Sequence, residues 1–187
     1  MKKLKVGNKI PEFQAELAYN KWISSEDLKG NWTHLAFHRY AGCPICNLSI
    51  RQFQARIGEI QQAGIRHISI FHSPAEKMQK YYPVLPPFEI ILDPMENLYK
   101  KFGVEGSLLG YLSPKSALNL AQSLTTDFKK GYDPDGTATT MPADFLVNPD
   151  GVIVECHYGE FIGDSWTVDD VIGKTAIRRN AVSLKSN

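Results

Sequence analysis

Hydrophobic and polar positions along this chain alternate between two periods. Residues 33–38 (Thr-His-Leu-Ala-Phe-His) are β-branched, aromatic and nearly continuous in apolar character on one face, which predicts a buried strand. Ile45, Leu48, Phe53, Ile57 and Ile60 then recur at near-helical spacing, predicting a helix over 44–63 that Gly64 closes as the residue after the cap. Residues 65–71 read as a second strand, 74–82 as a short helix and 88–92 as a third strand. Asp93 and Pro94 suit the cap and first position of a further helix, which Gly103 ends. Residues 145–147 and 152–154 flank Asn148-Pro149-Asp150-Gly151, a turn signal, and so form a hairpin. A last helix covers about 167–179. Strands alternating with helices, followed by a hairpin, predict an α/β fold with a central mixed sheet flanked by helices. No repeat or linker divides the chain, so 1–187 reads as one domain.

Residues 105–140 fit no strand. Ser113-Pro114 opens a helix to about Lys130, and 131–140 is loop. Leu108, Leu109, Tyr111, Leu112, Leu118, Leu120 and Leu124 need a surface to cover. The expectation is a mostly helical insertion beside the active site or at the interface of a homodimer.

Composition narrows the function. The 187 residues are 43% hydrophobic and 22% charged, average for a soluble globular protein. A net charge of +1 gives no electrostatic footprint for nucleic acid. The charged start of the chain is followed by no apolar run, so neither a signal peptide nor a membrane span is expected, and the protein reads as cytoplasmic. Three cysteines are too few for a disulfide scaffold.

Two of them form Cys43-Pro44-Ile45-Cys46, placed where the first buried strand turns into the first long helix. With Cys43 as the cap, Pro44 takes the first helical position, where its missing N–H costs nothing. The Cys43 sulfur then faces free backbone N–H groups and the positive end of the helix dipole, which favours a thiolate. Cys46 lies one turn on along the same face, within reach of a disulfide. The competing reading is zinc. A structural site wants four ligands. Cys156 and His157 could complete the set on paper, but neighbours in a strand point to opposite faces. Cys156 reads instead as a core thiol, and Trp22, Trp32 and the Phe residues as core. His38 and His72 both end predicted strands; if those strands are parallel neighbours, both lie at the edge carrying the Cys pair, as structural residues or in proton transfer.

Several segments resemble peroxiredoxins of the alkyl hydroperoxide reductase and thiol-specific antioxidant group. Val6-Gly7-Asn8-Lys9-Ile10-Pro11-Glu12-Phe13 resembles their opening. Leu28 to Trp32 resembles the segment before their first core strand, and Phe37 to Cys46 the approach to the active site in members that carry Cys-Pro-x-Cys. Leu92-Asp93-Pro94, Tyr99 to Val104 and Phe145 to Gly151 resemble their later elements. The resemblance implies a thioredoxin-like fold with an N-terminal extension of the peroxiredoxin type. It departs in two places. Cys46 takes the peroxidatic position and Cys43 the position of the family's Thr or Ser. The family's Arg before the 145–147 strand is also missing, since no Arg lies between Arg66 and Arg178. Thr140-Met141-Pro142 stands there instead and resembles thioredoxin, where a cis-Pro faces the Cys pair; a cis Met141–Pro142 bond beside Cys43 is therefore expected. Arg39, four residues before Cys43, stabilises a thiolate and stands in for the missing Arg, or else is a surface Arg with an acidic neighbour.

The reading is a thiol-dependent oxidoreductase that needs no organic cofactor and no metal, cycling Cys43 and Cys46 between dithiol and disulfide. The substrate is a peroxide or a disulfide, and a cellular dithiol of thioredoxin or glutathione type returns the electrons. The alternatives are a thiol–disulfide reductase without peroxidase activity, or a non-enzymatic zinc- or partner-binding module on the same fold.

Overall fold

The computed structural model describes residues 2–18, 20–124 and 137–183. Its strands are β1 (Gln14–Leu17), β2 (Lys21–Ser24), β3 (Trp32–Phe37), β4 (Ile65–Phe71), β5 (Glu89–Leu92), β6 (Ala143–Val147) and β7 (Ile153–Tyr158). They join in one sheet in the order β2-β1-β5-β4-β3-β6-β7. β3, β4 and β5 run parallel, and every other pairing is antiparallel. The mixed α/β architecture expected of a thioredoxin-like fold is thus present. The sequence reading missed the β1–β2 hairpin, because four-residue strands are too short to display a period.

The helices are α1 (Pro44–Gln62), α2 (Ala75–Tyr81), α3 (Asn97–Phe102), α4 (Leu108–Tyr111), α5 (Pro114–Leu124) and α6 (Val168–Ser183). Gly64 follows the α1 cap with φ +65°, a left-handed conformation that glycine adopts without strain. α6 opens on a reciprocal cap: Thr167 N–H and Oγ1 donate to Asp170 Oδ2, and Asp170 N–H donates back to Thr167 Oγ1. Alternation along the strands divides the core into two clusters. Leu35, Phe37 and Phe145 pack with Leu98, Tyr99 and Phe102. Ile50, Phe53 and Ile60 of α1 pack with Val168 and Val171 of α6.

Three expectations need correction. Asp93 and Pro94 do not start a helix; α3 begins at Asn97, after a turn closed by Glu96 N–H on Asp93 O at 2.9 Å. The Asp93 carboxylate still satisfies the helix start from outside, accepting the N–H groups of Asn97, Leu98 and Tyr99. Trp22 is not core: β2 is the edge strand, and Trp22 is 72% exposed. Among its described residues the 105–140 insertion holds two helices, α4 and α5, where the sequence pattern predicts one. Leu108, Leu109, Leu112, Leu118 and Leu120 are all exposed among the described residues. Leu124's side chain and the expected end near Lys130 lie outside the described residues.

Removing the Asp93 carboxylate leaves three N–H groups of α3 without that acceptor. Asp93→Ala is expected to cost about 1–2 kcal/mol in urea unfolding. A change within a few tenths would show that the cap carries no stability.

Candidate active site

Parallel pairing of β3 with β4 brings their C-terminal ends together, and the chain leaves β3 there into α1. Cys43 is the N-cap of α1, with extended backbone, and Pro44 fills the first helical position. The Cys46 N–H donates to Cys43 Sγ at 3.2 Å. The first turn of α1 holds no carboxylate, so the sulfur is the group facing the helix dipole. Both thiols are reduced and buried.

Arg39 is buried at the same edge, 4% exposed. Its Nη1 lies 3.8 Å from Cys43 Sγ. Nη2 donates to Ala138 O, and the guanidinium stacks on Tyr40 and Tyr111, 5.0 and 5.7 Å from their ring centroids. The surface alternative, with an acidic neighbour, is thereby corrected. Tyr111 and Ala138 belong to the insertion, which therefore positions the cation that faces the sulfur. Nothing in the sequence around either residue signals that role; it follows from tertiary placement alone.

The two thiols are driven apart. Burial opposes the Cys43 thiolate, but the Cys46 thiol, the Arg39 charge and the N–H groups of Cys46 and Ile45 outweigh it and lower Cys43 to about 7. Burial pushes the Cys46 thiol up, reinforced by its hydrogen bond to Cys43 and by the Cys43 charge. The facing sulfurs in turn hold the Arg39 proton more firmly than burial loosens it.

A cavity of about 180 Å³ opens at this edge. Cys46, Arg39, His38 and Pro142 line it, with Asn119 of α5 and Trp166. Cys43 does not line it. Gly163, at φ +91°, lets its loop close on the rim: a Cβ there would meet Asn119 Nδ2 at 2.6 Å and Ile45 Cγ2 at 2.9 Å.

Met141 is buried in the cluster that holds both cysteines, and Pro142 sits on the cavity wall. The Met141–Pro142 bond is trans, against expectation. The Gly106–Thr140 bridge and the Met141 N–H on Glu105 O lead the chain into β6 in extended form, where a trans bond suffices. His38 bonds Ser69, and His72 bonds Glu96 Oε1 at 3.1 Å. Cys156 is half-buried beside the Phe145 cluster, while His157 bonds Asp164, so the two do not converge on the Cys pair.

A family model described as the AhpC/TSA family matches residues 6–156. The chain belongs to the AhpC/TSA family. No curated protein matches it in sequence. Among solved structures, peroxidoxin BcpB from Mycobacterium tuberculosis superposes with a TM-score of 0.69 at 16% identity, over 93% of this chain and 97% of that one. Enterococcus faecalis AhpC superposes with a TM-score of 0.71 at 15% identity, over 95% and 94%. A Chlorobium tepidum protein described as a thiol:disulfide interchange protein DsbE gives 0.59 at 17% identity, over 97% and 98%. These likenesses establish the peroxiredoxin form of the thioredoxin-like fold. Family membership makes the chain a thiol-dependent oxidoreductase of the antioxidant type. Among the described residues no helix is long and apolar enough to cross a membrane.

Arg39→Met leaves burial of Cys43 less opposed, and the thiol should move from about 7 to above its ordinary value of about 8.5. The thiolate fraction at pH 7 then falls from roughly half to a few per cent, read from ultraviolet thiolate absorbance. The sign also reaches stability. Between about 7 and about 8.5 the unfolded Cys43 keeps a proton the folded one has lost. That contribution to reduced-state stability is full above about 8.5 and lost as pH falls through about 7. Urea midpoints of the reduced chain should therefore rise across this window more than those of Cys43→Ser.

Proposed function

We infer that the chain is a cytoplasmic peroxidase working through a Cys43/Cys46 dithiol–disulfide cycle. The observation that carries this reading is the unequal placement of the two sulfurs: Cys43 is buried at a helix start beside Arg39, and Cys46 lies on the wall of a cavity. Peroxide entering the cavity meets Cys46. The Cys46 sulfur bonds the distal peroxide oxygen, the O–O bond breaks, and the Cys46 proton goes to the leaving oxygen, giving a sulfenic acid and water or an alcohol. The Cys43 thiolate then attacks the Cys46 sulfur. Hydroxide departs, takes up a proton as water, and leaves a Cys43–Cys46 disulfide. A dithiol of thioredoxin or glutathione type reduces it by exchange. Arg39, beside both sulfurs, also faces the charge that develops on the departing oxygen.

A disulfide reductase is the second reading. Cys43, not Cys46, is the thiol poised as thiolate, which suits attack on a disulfide once α1 opens toward a partner. Thr140-Met141-Pro142 supports it, standing where the resembling peroxidases carry Arg. Cys43 then attacks one substrate sulfur, the other leaves as a thiolate, and Cys46 resolves the mixed disulfide.

The single-cysteine variants separate the readings. After one equivalent of hydrogen peroxide, Cys43→Ser should carry a persistent sulfenic acid on Cys46, detected by mass spectrometry. After a small disulfide, Cys46→Ser should trap a mixed disulfide on Cys43, and Cys43→Ser should remain inert. Oxidation found on Cys43 alone would overturn the peroxide mechanism.

A further inference from the structure

Five polar side chains that neither mechanism uses lie in one line beneath the site. His34 Nε2 is 3.0 Å from Asp144 Oδ1, and His34 Nδ1 is 2.9 Å from His67 Nδ1. His67 Nε2 and His38 Nε2 each lie 3.1 Å from Ser69 Oγ. All five residues are buried, none more than 3% exposed. Register explains the alignment. His34 pairs with His67, Ala36 with Ser69 and Ala36 with Asp144, so His34, His67, Ser69 and Asp144 share one face of β3, β4 and β6, and His38, just past the end of β3, continues the alternation of His34 and Ala36.

The bonds can be satisfied in only one direction if Asp144 is ionised and the rings are neutral. His34 Nε2–H donates to Asp144, so His34 Nδ1 must accept from His67 Nδ1–H. His67 Nε2 then accepts the Ser69 hydroxyl, and Ser69 Oγ accepts from His38 Nε2–H. Every hydrogen points toward Asp144. The nitrogen left over is Nδ1 of His38, which no described residue hydrogen-bonds, in a ring on the cavity wall beside Cys46.

On the reading of Cys46 as the thiol that meets substrate, we propose that His38, Ser69, His67, His34 and Asp144 form a proton relay serving Cys46. As the Cys46 sulfur bonds the peroxide oxygen, His38 Nδ1 takes the thiol proton, directly or through one cavity water. The Nε2 proton of His38 passes to Ser69, the Ser69 proton to His67 Nε2, and the His67 Nδ1 proton to His34 Nδ1. The result is a His34 imidazolium paired with the Asp144 carboxylate. Reversal hands the proton to the leaving oxygen, so atoms and charge balance over the step.

The surroundings fit transit rather than storage along the way. Burial and the neighbouring His34 lower His38 to about 3, and burial, His34 and His38 lower His67 well below the usual imidazole range. Neither ring keeps a second proton, so neither stores the one in transit. Asp144 is itself held by the Trp166 N–H at 3.0 Å. Phe53, Phe71, Phe88 and Trp166 wall the rings. Among the described residues, the titratable and charged groups facing the line are Arg39 and Cys46 at the cavity end, with Cys43 behind them, and at the other end His157, which pairs with Asp144 across β6 and β7 and bonds Asp164.

The test measures Cys46 alone, in a Cys43→Ser background, by its alkylation rate with iodoacetamide between pH 5 and pH 10. With the relay intact, the logarithm of the rate should level off below the thiol's own titration, because the relay accepts the proton. Ser69→Ala cuts the line and should restore a slope of one, with the rate at pH 7 falling about 100-fold. Asp144→Asn should do the same, and Ser69→Thr should return the plateau. A lower melting temperature with an unchanged profile would show that the line is structural and overturn the proposal. Peroxide turnover by the unaltered chain is measured separately: its absence, with the Ser69-dependent plateau intact, rejects the peroxidase reading and leaves the relay standing.

Discussion

The site depends on one requirement, that an anion be held inside the protein. A buried thiolate is expensive unless opposite charge and hydrogen-bond donors replace the water it has lost. Here the helix start supplies the donors and Arg39 the charge. Each of those needs its own support. The helix start needs Pro44 at its first position, and Arg39 needs an acceptor and aromatic faces deep in the protein. The Ala138 carbonyl, Tyr40 and Tyr111 provide them.

This chain of dependence gives the insertion a reason to exist. Arg39 precedes the sulfur by only four residues, yet what fixes it lies beyond position 105 in the sequence. A cation delivered from the end of β3 and clamped by the insertion can take the place of one delivered from in front of β6. On the proposed reading, the charge that the resembling family carries in front of β6 reaches this edge of the sheet by another route. Asn119, from α5, then completes the cavity wall in front of Cys46.

Most of this was legible in the sequence wherever local rules decide. The Cys43 cap, Pro44, the βαβ crossover and the closing hairpin all follow from residue types at fixed offsets, and all are present. Legibility ended where tertiary contacts decide. Trp22 has the composition of a core residue, but its strand is the last in the sheet. Asp93 caps α3 across a turn instead of opening it. The histidine line was not legible as a line: of its members the sequence reading singles out His38 alone, although His34 and His38, and His67 and Ser69, are spaced to share a strand face. Only the strand register shows that the two faces are one.

The device that makes Cys43 acidic also sets the balance between reduced and oxidised protein. Arg39 and the helix start stabilise a charge that exists only in the dithiol form. A Cys43–Cys46 disulfide erases that charge and leaves a buried guanidinium facing neutral sulfur. The oxidised form is thereby raised in free energy relative to the reduced one, and the couple moves toward more oxidising potentials. In the proposed cycle, a disulfide so placed would surrender readily to a cellular dithiol. The clamp that arms the sulfur for attack in that cycle would thus also reset it.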